Sequence, residues 1–169
     1  MTLDRLWAAW RSTYVSGVAA NAASGRSVFR QILESGCPDE ETHIVWRGVD
    51  CFAILNAYPY GSGHLMVMPY REVAALEELT SREHIELWGG VRDAVVALKA
   101  AYAPDGVNVG MNLGEAAGAG VPRHLHVHCL PRWAGDTNFM TSVAEVRVLP
   151  ESLDVSWQKL RAAWPVASP

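Results

Sequence analysis

Six histidines occur in this 169-residue chain, and three fall within five residues: His124-Leu-His126-Val-His128. Side chains alternate faces along a β-strand. An extended 124–128 therefore presents all three imidazoles on one side and sends Leu125, Val127 and Cys129 to the other. Alternate strand residues stand about 6.6 Å apart, which separates the first and third by about 13 Å. Zinc needs nitrogens at about 2.1 Å, so two neighbours could share an ion with outside ligands, but three in a row could not. The spacing suits a division of labour instead, with one ring acting while its neighbours orient it and bind substrate charge. A plain stack of surface or core histidines is the bland alternative.

The segment ahead of the histidines narrows the chemistry. Asn112-Leu-Gly-Glu-Ala-Ala-Gly118-Ala-Gly120 ends a strand-like stretch and runs into the histidine strand. Glycines let backbone N–H groups approach an anion closely, and successive N–H groups form an anion-binding nest. Read alone, such a loop is an ordinary flexible connection; beside three imidazoles its expected ligand is phosphate. The combination suits nucleophilic chemistry, in which a neutral imidazole attacks phosphorus and an acceptor resolves the phospho-histidine. Flanking rings and loop amides supply the positioning and charge stabilisation that such transfer needs. With an ordinary pKa of about 6.5, a neutral imidazole nucleophile predicts a rate that falls as pH drops below neutrality.

A scaffold has to carry these residues, and the chain is long enough to build one. Its length matches one ordinary domain, able to bury about two thirds of its unfolded surface without disulfide or metal. Half the residues are hydrophobic and 19% are charged, which excludes a disordered or collagen-like chain. A net charge of −4 speaks against a strongly basic nucleic-acid binder. No run approaches ~18 consecutive apolar residues, so no membrane span is expected. Asp4, Arg5 and Arg11 interrupt the N-terminus, which does not read as a secretory signal. Cys37, Cys51 and Cys129 lie far apart with no C-x-x-C, as suits free thiols in a reducing, cytoplasmic setting.

Leu3, Leu6, Trp7, Trp10 and Tyr14 fall at helical spacing, and 19–27 reads as a linker, so 1–26 is expected to be a docking segment ahead of a single domain, 27–169. Val28–Ser35 is a short helix closed by Gly36 and Pro38. Strand-like runs follow at His43–Arg47, Cys51–Asn56 and His64–Pro69, the first two joined by Gly48-Val49-Asp50. Thr80-Ser-Arg-Glu83 is a capping-box pattern, and Ile85, Trp88, Val91, Val95, Leu98 and Tyr102 predict one apolar face of a long helix. Gly106–Leu113 and Arg123–Pro131 read as further strands, and Leu153, Trp157, Leu160 and Trp164 as a last helix. Short adjacent strands around two or three helices predict an α+β domain with an antiparallel sheet.

Taken together, these residues resemble a known family. His124-Leu-His126-Val-His128-Cys-Leu130 is similar to the His-φ-His-φ-His-φ-φ signature of the histidine triad (HIT) family of nucleotide hydrolases and transferases. Asp4-Arg-Leu-Trp-Ala-Ala-Trp10, Val28-Phe29, Asn56-Ala-Tyr-Pro59 and Gly63-His-Leu-Met-Val-Met-Pro69 fit as well. The stretch Pro131-Arg-Trp-Ala-Gly-Asp-Thr-Asn-Phe-Met140 is particularly similar to bacterial members related to diadenosine-tetraphosphate phosphorylase. The likeness runs roughly from Leu3 to Met140. It implies an α+β fold with a five-stranded antiparallel sheet, paired in a homodimer into ten strands.

By position, the resemblance implies that His126 is the nucleophile on the α-phosphate of a nucleotide. His124 and His128 would bind phosphate oxygens and fix the tautomer of the central ring. Asn56 would meet the ribose hydroxyls, and Val28, Phe29, Ile32 and Leu55 would line a base pocket. Asn112 and the Gly118–Gly120 loop would contact ribose and phosphate. Plain core packing explains Phe29 and Leu55 equally well, whereas Asn56, a polar residue ending an apolar strand, needs a partner.

Two departures from the family pattern bear on function. Zinc-containing relatives carry ligands where this chain has Ser27, Arg30 and Glu72, so no structural zinc is expected. Many relatives have Ser, Thr or Gln before the first triad histidine to assist the leaving group, where this chain has Gly120 and Val121. That weighs against a phosphoramidate hydrolase and suits a phosphate leaving group, which needs less protonation.

The implied activity is cleavage of a dinucleoside polyphosphate through a nucleotidyl-His126, with water or inorganic phosphate as acceptor. No cofactor is expected, Mg²⁺ arriving at most with the substrate. The partners implied are a small-molecule nucleotide and further copies of the chain, with no nucleic acid or membrane. The N-terminal stripe and the helix ending at Trp164 offer apolar surface between subunits. The competing readings are a nucleotide-binding regulatory module with little turnover and a metal-binding protein using His124 with His126 or His128.

Overall fold

The structure, a computed structural model, describes residues 27–136 and 151–165. The docking segment 1–26 with its apolar stripe, and the 137–140 part of the family-like stretch, lie outside the described residues. Helix α1 (Val28–Glu34) and a one-turn α2 (Asp39–Thr42) precede strands β1 (Ile44–Arg47), β2 (Cys51–Leu55) and β3 (Leu65–Pro69). The long α3 (Ser81–Tyr102), β4 (Gly106–Gly110), β5 (Val127–Arg132) and α4 (Leu153–Ala163) complete the order. The strands form one antiparallel five-stranded sheet in the order β1-β2-β3-β5-β4, as the α+β reading requires.

Helix α3 starts where its capping box predicts. The Glu83 amide donates to Thr80 Oγ1 (3.2 Å), and the Thr80 amide donates to the Glu83 carboxylate (2.8 Å). Its buried face keeps Val91 and Leu98 of the expected stripe, with Tyr102 packed at its end, but is turned away from Ile85 and Trp88. Leu87, Gly90, Val91, Ala94, Ala97 and Leu98 meet the sheet, whereas Ile85 is 72% and Trp88 40% exposed. Small residues decide this orientation. A Cβ at Gly90 would lie 2.9 Å from the Trp46 ring and 3.1 Å from Val67, so the helix sits on the sheet at the point where its side chains are smallest.

Strands β1, β2 and β3 divide their residues between two cores, because successive side chains point to opposite faces. Val45, Ala53, Leu55, Leu65, Val67, Leu125, Val127 and Cys129 pack beneath α3 and α4. Phe52, Ile54, Met66 and Met68 pack on the other face beneath Phe29 of α1. Glu86 of α3 secures the β1–β2 turn, its carboxylate accepting the amides of Val49 (2.8 Å), Asp50 and Cys51 (2.7 Å). The two sheet edges differ. On β1, the Trp157 indole donates to the Ile44 carbonyl (2.9 Å) and Arg161 to the Val45 carbonyl (2.7 Å), so α4 caps that edge. On β4, Asn108, Val109 and Gly110 are exposed.

Candidate active site

The alternation read from the sequence holds through the histidine segment, although regular pairing begins only at Val127. His124 and His126 lie in the extended approach to β5, which the amide of Leu125 ties to the Val73 carbonyl (2.6 Å). Leu125, Val127 and Cys129 enter the α3 core, and the three imidazoles share the opposite face with Phe29. Rings of His126 and His128 are 4.9 Å apart, and Phe29 stands 5.4 Å from His124 and 5.6 Å from His126.

Hydrogen-bond partners that can act in only one direction fix the proton on each ring. The carbonyl of Pro69 can only accept, so its 2.8 Å contact with His124 Nε2 places a proton there. His124 Nδ1 is then an acceptor, and the hydroxyl of Ser27 donates to it at 2.7 Å. The carbonyl of His124 likewise can only accept, so His126 Nδ1 carries a proton and donates to it at 2.8 Å. That leaves the Nε2 lone pair of His126 uncommitted among the described residues, on a ring 6% exposed.

A fourth histidine completes the set, one that sequence reasoning did not single out. The amide of Tyr60 donates to His64 Nδ1 (3.1 Å), so His64 is protonated at Nε2 and donates to His128 Nδ1 at 3.0 Å. His128 therefore carries its own proton on Nε2. His64 is only 1% exposed and follows Gly63, whose φ of +74° and close approach to the Tyr102 ring require glycine. Its signal in the sequence was parity: it shares a strand face with Met66 and Met68 and is the polar exception there. Gly110, opposite His128 on β4, carries no side chain, and a Cβ there would meet nothing within 4 Å.

Burial lowers the proton affinity of all three triad rings. His126 and His124 titrate below the usual histidine range chiefly through desolvation, and hydrogen bonding to carbonyls opposes the shift only in part. His128 falls to about 4, mainly through burial and secondarily through the charge of His126. The site is thus a set of neutral imidazoles near pH 7, the state an attacking nitrogen needs.

Three sequence expectations require correction. His124 is wholly buried with both nitrogens engaged, so it does not reach a phosphate oxygen; it acts through its backbone carbonyl on His126. Leu55 packs in the α3 core, on the face away from the histidines, and Ile54 is the β2 residue on the histidine side. The cause is strand parity, since adjacent residues cannot share a face. Gly118 does not offer its amide to an anion, because that N–H donates to the Glu115 carbonyl (2.9 Å), with Ala117 and Ala119 similarly bonded to Gly114. The loop is a 3₁₀ turn with Gly114 and Gly118 at positive φ, and Asn112 braces it by donating to the Gly118 carbonyl (3.3 Å). Among the described residues, no carbonyl takes the amide of Gly120.

Val28, Phe29 and Ile32 lie together where α1 meets the histidine face. Asn56 finds partners within its own loop, accepting the Tyr58 amide at 2.9 Å and approaching His64 Nδ1 at 3.4 Å. Among the described residues, no group of three or more His, Cys, Asp or Glu side chains is arranged to hold a metal ion, and no helix is long and apolar enough to cross a membrane.

Residues 38–135 match the HIT domain. The chain is 41% identical over 167 residues to AP-4-A phosphorylase of Mycobacterium tuberculosis, covering 96% of this chain and 85% of that protein. It is 36% identical over 84 residues to the asymmetrical bis(5'-nucleosyl)-tetraphosphatase of Schizosaccharomyces pombe, covering 50% of this chain and 46% of that one. Among solved structures, a zinc-bound histidine triad family protein from Mycobacterium smegmatis aligns with a TM-score of 0.67 at 26% identity, covering 83% of this chain and 94% of that chain.

Proposed function

The chain belongs to the histidine triad (HIT) family, and on that premise we propose that it cleaves dinucleoside polyphosphates at an α-phosphate through a nucleotide held covalently on His126. One observation carries this reading: the Nδ1 proton of His126 is pinned on the His124 carbonyl, which aims an unprotonated Nε2 outward from a neutral ring. In the first step Nε2 forms a bond to phosphorus, and the bond from phosphorus to the bridging oxygen breaks. With diadenosine tetraphosphate, ATP departs and AMP remains on the ring as a phosphoramidate. In the second step an acceptor oxygen attacks the same phosphorus and the P–N bond breaks, which restores the neutral histidine.

The Nε2–H of His128 and the amide of Gly120 supply donors to the phosphate oxygens as charge develops. Val28, Phe29 and Ile32, with Ile54 in place of Leu55, form the base-contact surface, and Asn56 and Asn112 meet the ribose side. The side chains at Gly120 and Val121 offer no acid, which suits a polyphosphate leaving group better than an amine. Inorganic phosphate is the acceptor favoured by the likeness to AP-4-A phosphorylase.

The open edge of β4 supports pairing with a second copy into a ten-stranded sheet, since α4 caps the other edge at β1. Incubation with diadenosine tetraphosphate tests the activity. ADP plus ATP in the presence of phosphate is the expected product pair, with AMP plus ATP when water alone accepts. Absence of turnover under both conditions overturns the reading.

A further inference from the structure

The hydroxyl of Ser27 hydrogen-bonds both the base-contact helix and the triad. Ser27 is the N-cap of α1, and its Oγ accepts the Arg30 amide at 3.2 Å. The same hydroxyl donates its proton to His124 Nδ1 at 2.7 Å, across 97 positions of sequence, in a fully buried contact. Its backbone amide donates to Glu72 Oε2 at 3.2 Å, while the second Glu72 oxygen faces Arg123 at 3.6 Å, an ion pair too long for a hydrogen bond. A cap of this kind ordinarily serves its helix alone.

We propose that Ser27 is a positioning residue for the reaction: its single hydroxyl anchors Nδ1 of the His124 ring, whose Nε2–H tautomer the Pro69 carbonyl sets, and locks α1 to the histidine segment. This rests on the reading of His126 as nucleophile. The chain of contacts is short. Ser27 and Pro69 hold the His124 ring from its two nitrogens, and the ring's fixed place holds the His124 carbonyl. That carbonyl takes the Nδ1 proton of His126 and so sets the direction of its Nε2. Without the hydroxyl, Nδ1 of His124 is a buried acceptor with no donor, and the ring gains by rotating or shifting toward another donor. Either movement shifts the carbonyl, and a displacement of about 1 Å at an attacking atom costs up to about 100-fold in rate. Phe29, Val28 and Ile32 follow directly on Ser27 in α1, so the same loss loosens the surface proposed to take the base.

The test uses the full chain with Ser27→Ala and Ser27→Thr, read by two independent measurements. Long-range ¹H–¹⁵N spectra of the histidine rings report the tautomer without any turnover. The parent protein and Ser27→Thr should show one set of His124 ring signals, protonated at Nε2, and Ser27→Ala should shift or broaden them as Nδ1 loses its donor. In steady-state kinetics on diadenosine tetraphosphate, Ser27→Ala should lower kcat about 10- to 100-fold and raise KM several-fold, with Ser27→Thr restoring most of both. A merely structural cap would lower melting temperature but leave kcat per folded molecule and the ring spectrum unchanged. That result, or a parent His124 protonated at Nδ1, overturns the proposal. If the parent turns over no dinucleoside polyphosphate, the nucleophile reading fails while the ring spectra still decide what Ser27 does. If Ser27→Ala does not fold, the parent and threonine spectra make the same decision.

Discussion

The two faces of the sheet are built from the same strands and do opposite work. Beneath α3, the alternate residues Val45, Ala53, Leu65, Val67, Val127 and Cys129 meet a helix face in which Gly90, Ala94 and Ala97 alternate with larger residues, and the contact is apolar. On the other face, a smaller apolar cluster around Phe29 and Phe52 adjoins four histidines that make directional bonds. Packing energy is non-directional and tolerates exchange of similar residues, whereas a buried polar chain fails at its weakest member. The comparison teaches that rigidity on the first face serves stability and rigidity on the second serves aim.

Substitutions should separate the two faces cleanly. The largest effect is expected for His126→Ala, which removes the attacking nitrogen and should depress turnover by about 1,000-fold or more while nucleotide affinity changes little. Retained activity in a folded variant would remove the nucleophile from the account. Leu98→Ala on the opposite face should cost about 2–5 kcal/mol in denaturant unfolding, because a fully buried side chain leaves a cavity. Its kcat per folded molecule should stay within about twofold of the parent, given its place in the apolar core; a large fall in kcat would show the faces to be coupled.

His64→Ala should come next. It leaves the fold largely intact but frees the tautomer of His128, with an expected loss in kcat of about 10- to 100-fold and little change in KM. An equal loss from a His64→Asn variant is compatible; full activity in both is not.

The smallest effects concern pH. Burial lowers the triad rings, His128 to about 4, so neutral His126 persists below its unfolded value of about 6.5. The acid limb expected from an ordinary histidine is therefore displaced to more acidic pH. A profile of kcat/KM that bends at or above pH 6.5 would contradict the buried, neutral ring. Stability carries the matching sign. Below about pH 6.5 the unfolded chain binds protons that the folded rings refuse, so stability is fully present above that value and is lost as pH falls toward 4. Thermal melts across that interval check the direction.

The sequence made some of this molecule legible and hid the rest for identifiable reasons. The capping box at Thr80 and the alternation around His124–Cys129 are local, so they could be read directly. Helix α3 misled because large apolar residues dominate a periodicity count, whereas Gly90, Ala94 and Ala97 set the contact. The strand period itself excludes Leu55 from the face of Ile54, a parity that was available and overlooked. Ser27 could be read only as the end of a linker and the place of an absent zinc ligand, because its bond to His124 spans the domain. His64 left a parity trace but no partner, for its bond to His128 depends on how β3 lies beside β5.

The margins of the sheet carry a last consequence. Trp157 and Arg161 occupy two carbonyls of the first strand, so among the described residues that margin has less free backbone than the exposed stretch of β4. Addition of a further strand by backbone pairing is accordingly less favourable at the first strand, where two side chains of the final helix already hold its carbonyls.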